Sequence, residues 1–190
     1  MVNKIVCVVG MPGSGKSVVS DELAKNGFAF LRFGQITLDK IIEQGLEINE
    51  ANERSTREEL RKKHGMAAFA ILNIPKIDKF LEKSNVVVDG LYSWSEYKVL
   101  KEKYKDTMYV LSVFAPPKMR YGRLEERSAE NDKEQRFRSF TKKEAAARDF
   151  AEIENLEKGG PIAMADFTIV NVGSVEELKK NVWQFLSEIK

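Results

Sequence analysis

An apolar run, Ile5-Val-Cys-Val-Val9, passes directly into Gly10-Met-Pro-Gly-Ser-Gly-Lys-Ser17, and this junction restricts the fold more than any other stretch. The second segment has the spacing G-x-x-x-x-G-K-[ST] of a phosphate-binding loop, which needs a strand before it and a helix after it. Gly13 and Gly15 permit backbone angles closed to other residues. A turn running through Gly10, Met11, Pro12, Gly13, Ser14 and Gly15 can therefore aim successive N–H groups at one anion. In such a loop Lys16 reaches the β- and γ-phosphates and the Ser17 hydroxyl ligates Mg²⁺. The helix that begins there adds the positive end of its dipole. A chance glycine-rich turn is the bland alternative, but the strand before and the helical spacing of Val18, Val19, Leu23 and Ala24 after it argue against that. A nucleoside triphosphate is the expected ligand, with ATP and Mg²⁺ as cofactors.

The chain has 190 residues, suited to a single domain, 1–190, with a sizeable core. Its hydrophobic content of 43% and charged content of 32% are those of a globular protein. A net charge of +2 makes no electrostatic case for a nucleic-acid or membrane partner. The one cysteine, Cys7, lies mid-run and reads as a small buried hydrophobe. No signal-peptide pattern and no apolar run of membrane-spanning length is visible, so a cytoplasmic location is expected. The oligomeric state is not legible.

Strands are predicted near 4–9, 28–33, 85–89, 107–114 and 166–170. Their near-continuous apolarity suits a parallel sheet covered by helices on both faces. The last helix opens on a capping box, Ser174 to Glu177, and lines up Leu178, Val182, Phe185, Leu186 and Ile189. Two connections exceed the needs of a crossover helix. Residues 34–84 read as a helical insertion in which Pro75 should kink or restart the run. Residues 115–165 hold six of the ten arginines, so an arginine-rich lid over 116–158 is expected. Both insertions would stand over the carboxyl ends of the strands, where open α/β sheets bind ligands.

The segment Val86-Val-Val-Asp-Gly90 ends an apolar strand on a carboxylate. Asp89 would then sit beside the phosphate loop, where it could hold Mg²⁺, directly or through water, or accept a proton. An ordinary Asp-Gly turn is the alternative. Arg120, Arg123 and Arg127 share a helical face by their spacing, with Arg136, Arg138 and Arg148 further on. Guanidinium groups suit phosphate oxygens and the charge that spreads over a transferring phosphoryl group. A solvated face laced with Glu125, Glu126 and Glu144 competes with that reading. His64 reads as an exposed helix end, and Trp94 and Trp183 as packing residues.

Together these residues resemble an adenylate-kinase-like P-loop nucleotide kinase. The likeness extends to dephospho-coenzyme A kinase and to adenylate-kinase-related P-loop proteins of archaea. It rests on the loop through Ser17, Asn26-Gly-Phe28, Ile74-Pro-Lys-Ile77, Val88-Asp-Gly90, Arg123 to Arg127, Arg148-Asp149 and the ending Ala165-Asp-Phe-Thr-Ile-Val-Asn171 with Gly173 to Leu178. The resemblance implies a three-layer α/β sandwich with a five-stranded parallel sheet in the order 2-3-1-4-5. It also implies an acceptor-binding insertion after strand two and a lid. By the same resemblance Arg123 and Arg127 contact the adenine nucleotide, and Arg148 touches the transferred phosphoryl group.

Two departures fall on the acceptor side. The relatives usually carry an aspartate where this chain has Gln35, followed in adenylate kinases by an arginine near Leu38. They often have an arginine near Tyr92. Asp89 or Asp39 would have to take over the carboxylate's task, or the acceptor is unusual, or catalysis is weak. The leading expectation is a kinase with Lys16, Asp89 and Arg148 as catalytic residues and Gln35, Asp39 and Tyr92 facing a nucleotide-like small-molecule acceptor. A nucleotide-binding switch or regulatory ATPase is the second reading. A kinase for nucleic-acid ends is the third, disfavoured by the near-neutral charge.

Overall fold

A computed structural model describes residues 2–126 and 140–189. Arg127, Arg136 and Arg138 lie outside the described residues. Five strands form one parallel sheet in the order β2-β3-β1-β4-β5: β1 Ile5–Val9, β2 Ala29–Arg32, β3 Val86–Asp89, β4 Met108–Phe114 and β5 Phe167–Val170. Every predicted strand is present, with its ends within a residue of the expected ones.

β1 is buried throughout because it lies centrally, between β3 and β4. Its alternate side chains enter two different cores. Ile5, Cys7 and Val9 join Phe69, Ile77 and Leu100 on one face; Val6 and Val8 join Val19, Leu23, Leu178 and Val182 on the other. Each fully buried aliphatic side chain contributes about 1.5–3 kcal/mol, which explains why β1 is apolar throughout and its neighbour β4 carries just one small polar residue, Ser112. Cys7 is fully buried, and burial pushes its thiol well above the ordinary value, so it is packing and not a nucleophile.

The second face carries α1 (Lys16–Lys25) and α9 (Val175–Glu188), which pack against each other. α9 is capped as expected, Ser174 accepting from the Glu177 N–H while Glu177 accepts from the Ser174 N–H. Trp183 departs from the packing role expected of it. It is 57% exposed and donates its indole N–H to Glu22 at 3.2 Å, one residue round the helix from the buried Val182.

The insertion between β2 and β3 is helical: α2 Gln35–Glu43, α3 Glu50–His64 and α4 Ala68–Leu81. Asn49 caps α3, and His64 ends it in a basic last turn that suits the helix dipole. A restart of the helical run falls at Gly65, whose φ of 80° leaves the helix, and not at Pro75. Pro75 lies inside α4. The carbonyl it deprives of a donor is that of Ile71, a residue 42% exposed, where water can serve it. Beyond β3 come α5 (Trp94–Tyr104), a short 3₁₀ turn (Lys105–Thr107), α6 (Pro117–Glu125), α7 (Lys142–Leu156) and α8 (Gly159–Ala163). Among the described residues, no helix is long and apolar enough to cross a membrane.

Candidate functional site

The loop after β1 is fitted around its glycines. Gly15, at φ 105°, stands before α1, and a Cβ there would collide with the Asn171 side-chain amide. A Cβ on Gly10 would strike the Val113 carbonyl oxygen. No side chain caps α1; the Val18 N–H turns back to the Gly15 carbonyl at 3.1 Å, and the N–H groups of Lys16 and Ser17 are the ones placed to meet an anion. The loop's outer wall is held from three elements. Asn171, just past β5, donates to the Ser14 carbonyl at 2.7 Å. Arg120 of α6, only 4% exposed, donates to the Pro12 carbonyl at 3.0 Å. The same guanidinium forms a two-pronged pair with Asp149 of α7, at 2.9 and 2.5 Å. Arg120 is therefore a brace between α7 and the loop, turned inward and not toward a ligand.

Lys16 opens α1 and arches back to donate to the Met11 carbonyl at 3.1 Å. Burial, reinforced by Lys158 nearby, lowers its ammonium to about 7, while Asp89 and Glu152 act in the opposite direction. Asp89 ends β3 in register with Val8 of β1 and Arg32 of β2, which puts its carboxylate at the sheet edge within electrostatic reach of Lys16. Ser17 follows Lys16 in the first turn of α1. These donors fit a phosphate chain and a hard divalent cation: backbone amides and an ammonium for the phosphates, a hydroxyl and a carboxylate oxygen for Mg²⁺.

Two arginines approach this loop. Arg123 of α6 donates through Nη2 to the Asn171 carbonyl at 3.1 Å, and its buried Nη1 has no partner among the described residues. Arg148 of α7 donates through Nε to Glu152 at 2.9 Å and rests on the Phe140 ring, 5.1 Å from its centre. Its charge is felt by Lys16, and Glu50 at the start of α3 acts on it from the other insertion. Charges from α7 and from the β2–β3 insertion thus act together beside the loop.

Residues 6–150 match the AAA domain family. A UPF0200 protein of Thermococcus gammatolerans is 35% identical over 187 residues, an alignment covering 97% of this chain and 95% of that one. The chain belongs to the UPF0200 family. Among solved structures, TT1252 from Thermus thermophilus superposes on this UPF0200 protein with a TM-score of 0.68 at 19% identity, over the full length of both chains. Shikimate kinase from Acinetobacter baumannii, solved with shikimate, does so with a TM-score of 0.57 at 17% identity, over 99% of this chain and 95% of that one. At such identities the likeness is one of fold, and the fold is that of P-loop kinases.

The acceptor-side candidates of this UPF0200 chain do not all point alike. Gln35 begins α2 and donates to Asp39 one turn on, at 2.9 Å, so the two are engaged with each other. Tyr92 folds back over Gly90, where a Cβ would lie 2.8 Å from its ring. No arginine stands near it in sequence, but a cation stands there in space: the Lys158 ammonium lies 4.7 Å from the centre of the Tyr92 ring. Lys158 also pairs with Glu152. Sequence reasoning passed over Lys158, Glu152 and the clamp role of Asn171. A lysine before Gly159-Gly160-Pro161 carries no motif, and only the three-dimensional return of the chain brings it under Tyr92.

Proposed function

We propose that this protein is a cytoplasmic ATP-dependent phosphotransferase that moves the γ-phosphoryl group of ATP to a nucleotide-like small molecule. In this reading residues 34–84 bind the acceptor, and residues 116–158 form the lid of a single domain, 1–190. The observation that carries it is that the charges of Asp89 and of Arg148, from two different elements, both act on Lys16 of the loop. A loop that only stored nucleotide needs the amides and the lysine; a lid cation facing them suits charge that grows during transfer.

The loop amides and Lys16 would hold the phosphates, and Ser17 and Asp89 would hold Mg²⁺, which when bound would supply positive charge to offset that of the phosphates. Arg123, beside the β5–α9 connection, suits the adenine side, with Arg127 expected to join it. The acceptor's hydroxyl oxygen bonds to the γ-phosphorus as the bond from phosphorus to the β–γ bridging oxygen breaks. ADP leaves with that electron pair, and the hydroxyl proton passes to Asp89. Gln35 can orient the hydroxyl but cannot take its proton. In a loose transition state the attacking oxygen needs little prior deprotonation, so orientation suffices.

The mutual hydrogen bond of Gln35 and Asp39 favours a second reading, a nucleotide-binding regulatory ATPase without an acceptor. One experiment separates them. Thermal-shift measurements with a non-hydrolysable ATP analogue would screen nucleoside monophosphates, dephospho-coenzyme A, shikimate and gluconate, followed by ATP turnover with each stabilising compound. Acceptor-dependent turnover supports the phosphotransferase. Turnover indifferent to every acceptor, with transfer appearing only in Gln35→Asp, identifies the regulatory ATPase.

A further inference from the structure

Lys158 is a charged side chain in a place where charge is expensive. It is 1% exposed, at the junction of α7 and α8, so no substrate touches it. Gly160 lets α8 press against Trp94, where a Cβ would come within 2.7 Å of the indole. Tyr92 covers the ammonium from the same β3–α5 connection. A methionine of similar length would fill this site without the desolvation cost of a cation, and exchanging buried ion pairs for apolar groups is often neutral or stabilising. The lysine therefore asks for a reason other than packing.

Its partner supplies one. Glu152 accepts from Lys158 through Oε2 and from Arg148 through Oε1. Burial works to raise the Glu152 carboxyl, but Lys158 and Arg148 together outweigh it and hold the group at about 2. One carboxylate is thus divided between two cations. An arginine beside an unshared carboxylate tends to close on it with two parallel N–H bonds. Here Arg148 is restricted to one, through Nε, and among the described residues its terminal nitrogens make no hydrogen bond. Its side chain is 42% exposed.

We infer that Lys158 is a positioning residue: by occupying Oε2 of Glu152 it limits that carboxylate to the Nε of Arg148 and keeps the arginine's terminal nitrogens open to a phosphoryl group in the cleft. The inference rests on the phosphotransferase reading for what the nitrogens meet, but not for the geometry itself. It makes the β3–α5 connection, through Tyr92 and Trp94, the support on which the lid arginine is aimed.

Two variants test it, Lys158→Met and Lys158→Met/Glu152→Gln. Labelling with phenylglyoxal, which attacks free guanidinium forks, would be mapped to Arg148 by peptide mass. Calorimetry would compare MgADP affinity with and without fluoroaluminate, a mimic of the phosphoryl group in transfer. In the single variant, Arg148 closes on Glu152: labelling falls, the fluoroaluminate gain drops about tenfold, the scale of one charge-assisted hydrogen bond, and MgADP alone, measured at pH 6 where Lys16 already holds its proton, binds as before. In the double variant an amide cannot hold the fork as an ion pair, and both readouts recover. Unchanged Arg148 labelling in the single variant overturns the inference. So does parallel loss in both variants alongside a lowered melting temperature, which makes Lys158 structural only. The expected labelling pattern without fluoroaluminate capture in any protein supports the geometry and removes the phosphotransferase reading instead.

Discussion

Lys16 offers a test that needs no acceptor. Burial and the neighbouring Lys158 bring its ammonium down from the ordinary 10.5 to about 7. At pH 8 such a group is roughly nine-tenths neutral in the free protein. A phosphate chain on the loop reverses the balance, since negative charge beside the amine restores its proton. Binding of MgADP at pH 8 is therefore expected to take up about 0.9 proton, falling to about half a proton at pH 7 and near zero at pH 6. Calorimetry in two buffers of different ionisation enthalpy reads this number directly, and MgADP avoids the titrating γ-phosphate. Lys16→Met should bind more weakly and take up none. Uptake below about 0.2 proton at pH 8 in the wild type would refute the argument. The linkage for stability has a definite sign. Between pH 7 and 10.5 the unfolded chain holds the Lys16 proton and the folded chain does not, so this group's contribution to the nucleotide-free protein rises with pH across that window. Below pH 7 both states hold the proton and the burial cost is borne in full.

Asp149→Ala should leave Arg120 buried without its counter-charge and lower stability by about 3–5 kcal/mol in urea unfolding; a loss under about 1 kcal/mol would mean the pair is solvated. Asp89→Asn should reduce acceptor-dependent turnover on the order of a hundredfold and weaken MgADP binding through the lost carboxylate, while metal-free ADP binds as before, measured by steady-state kinetics and calorimetry together. Gly15→Ala should displace the Asn171 side chain and weaken MgADP binding with the fold retained, which circular dichroism and calorimetry can compare; undiminished affinity would contradict the tight fit at this position.

The strands were legible because burial on both faces leaves a near-continuous apolar signature, unbroken in Ile5–Val9 and interrupted by Ser112 in Met108–Phe114. The phosphate loop was legible because its constraints are local: the glycines, Lys16 and Ser17 all fall within eight residues. Pro75 does not restart the helix, because a proline inside a helix is only as disruptive as the carbonyl it deprives, and Ile71 is on an exposed turn. Arg120 and Arg123 look equivalent in sequence, three residues apart on one helix. They are separated by what faces them, Asp149 in one case and the Asn171 carbonyl in the other. Lys158, Glu152 and Tyr92 were illegible as a group because pairing 92 with 158 depends on how α8 docks against α5.

Asn171 ties the first functional segment of the chain to nearly the last. Its side chain grips the Ser14 carbonyl, its own carbonyl receives Arg123, and its N–H reaches the Phe114 carbonyl at 2.7 Å. The nucleotide cradle is therefore written early in the chain but finished late. During synthesis, residues 10–17 leave the ribosome well before β5 exists to lock them, and the edge strand has to find β4 first. A nascent or proteolysed chain that stops before residue 165 would carry the whole glycine-rich motif and still grip nucleotide poorly. On the phosphotransferase reading, capture of nucleotide then reports that the sheet has been completed out to its far edge.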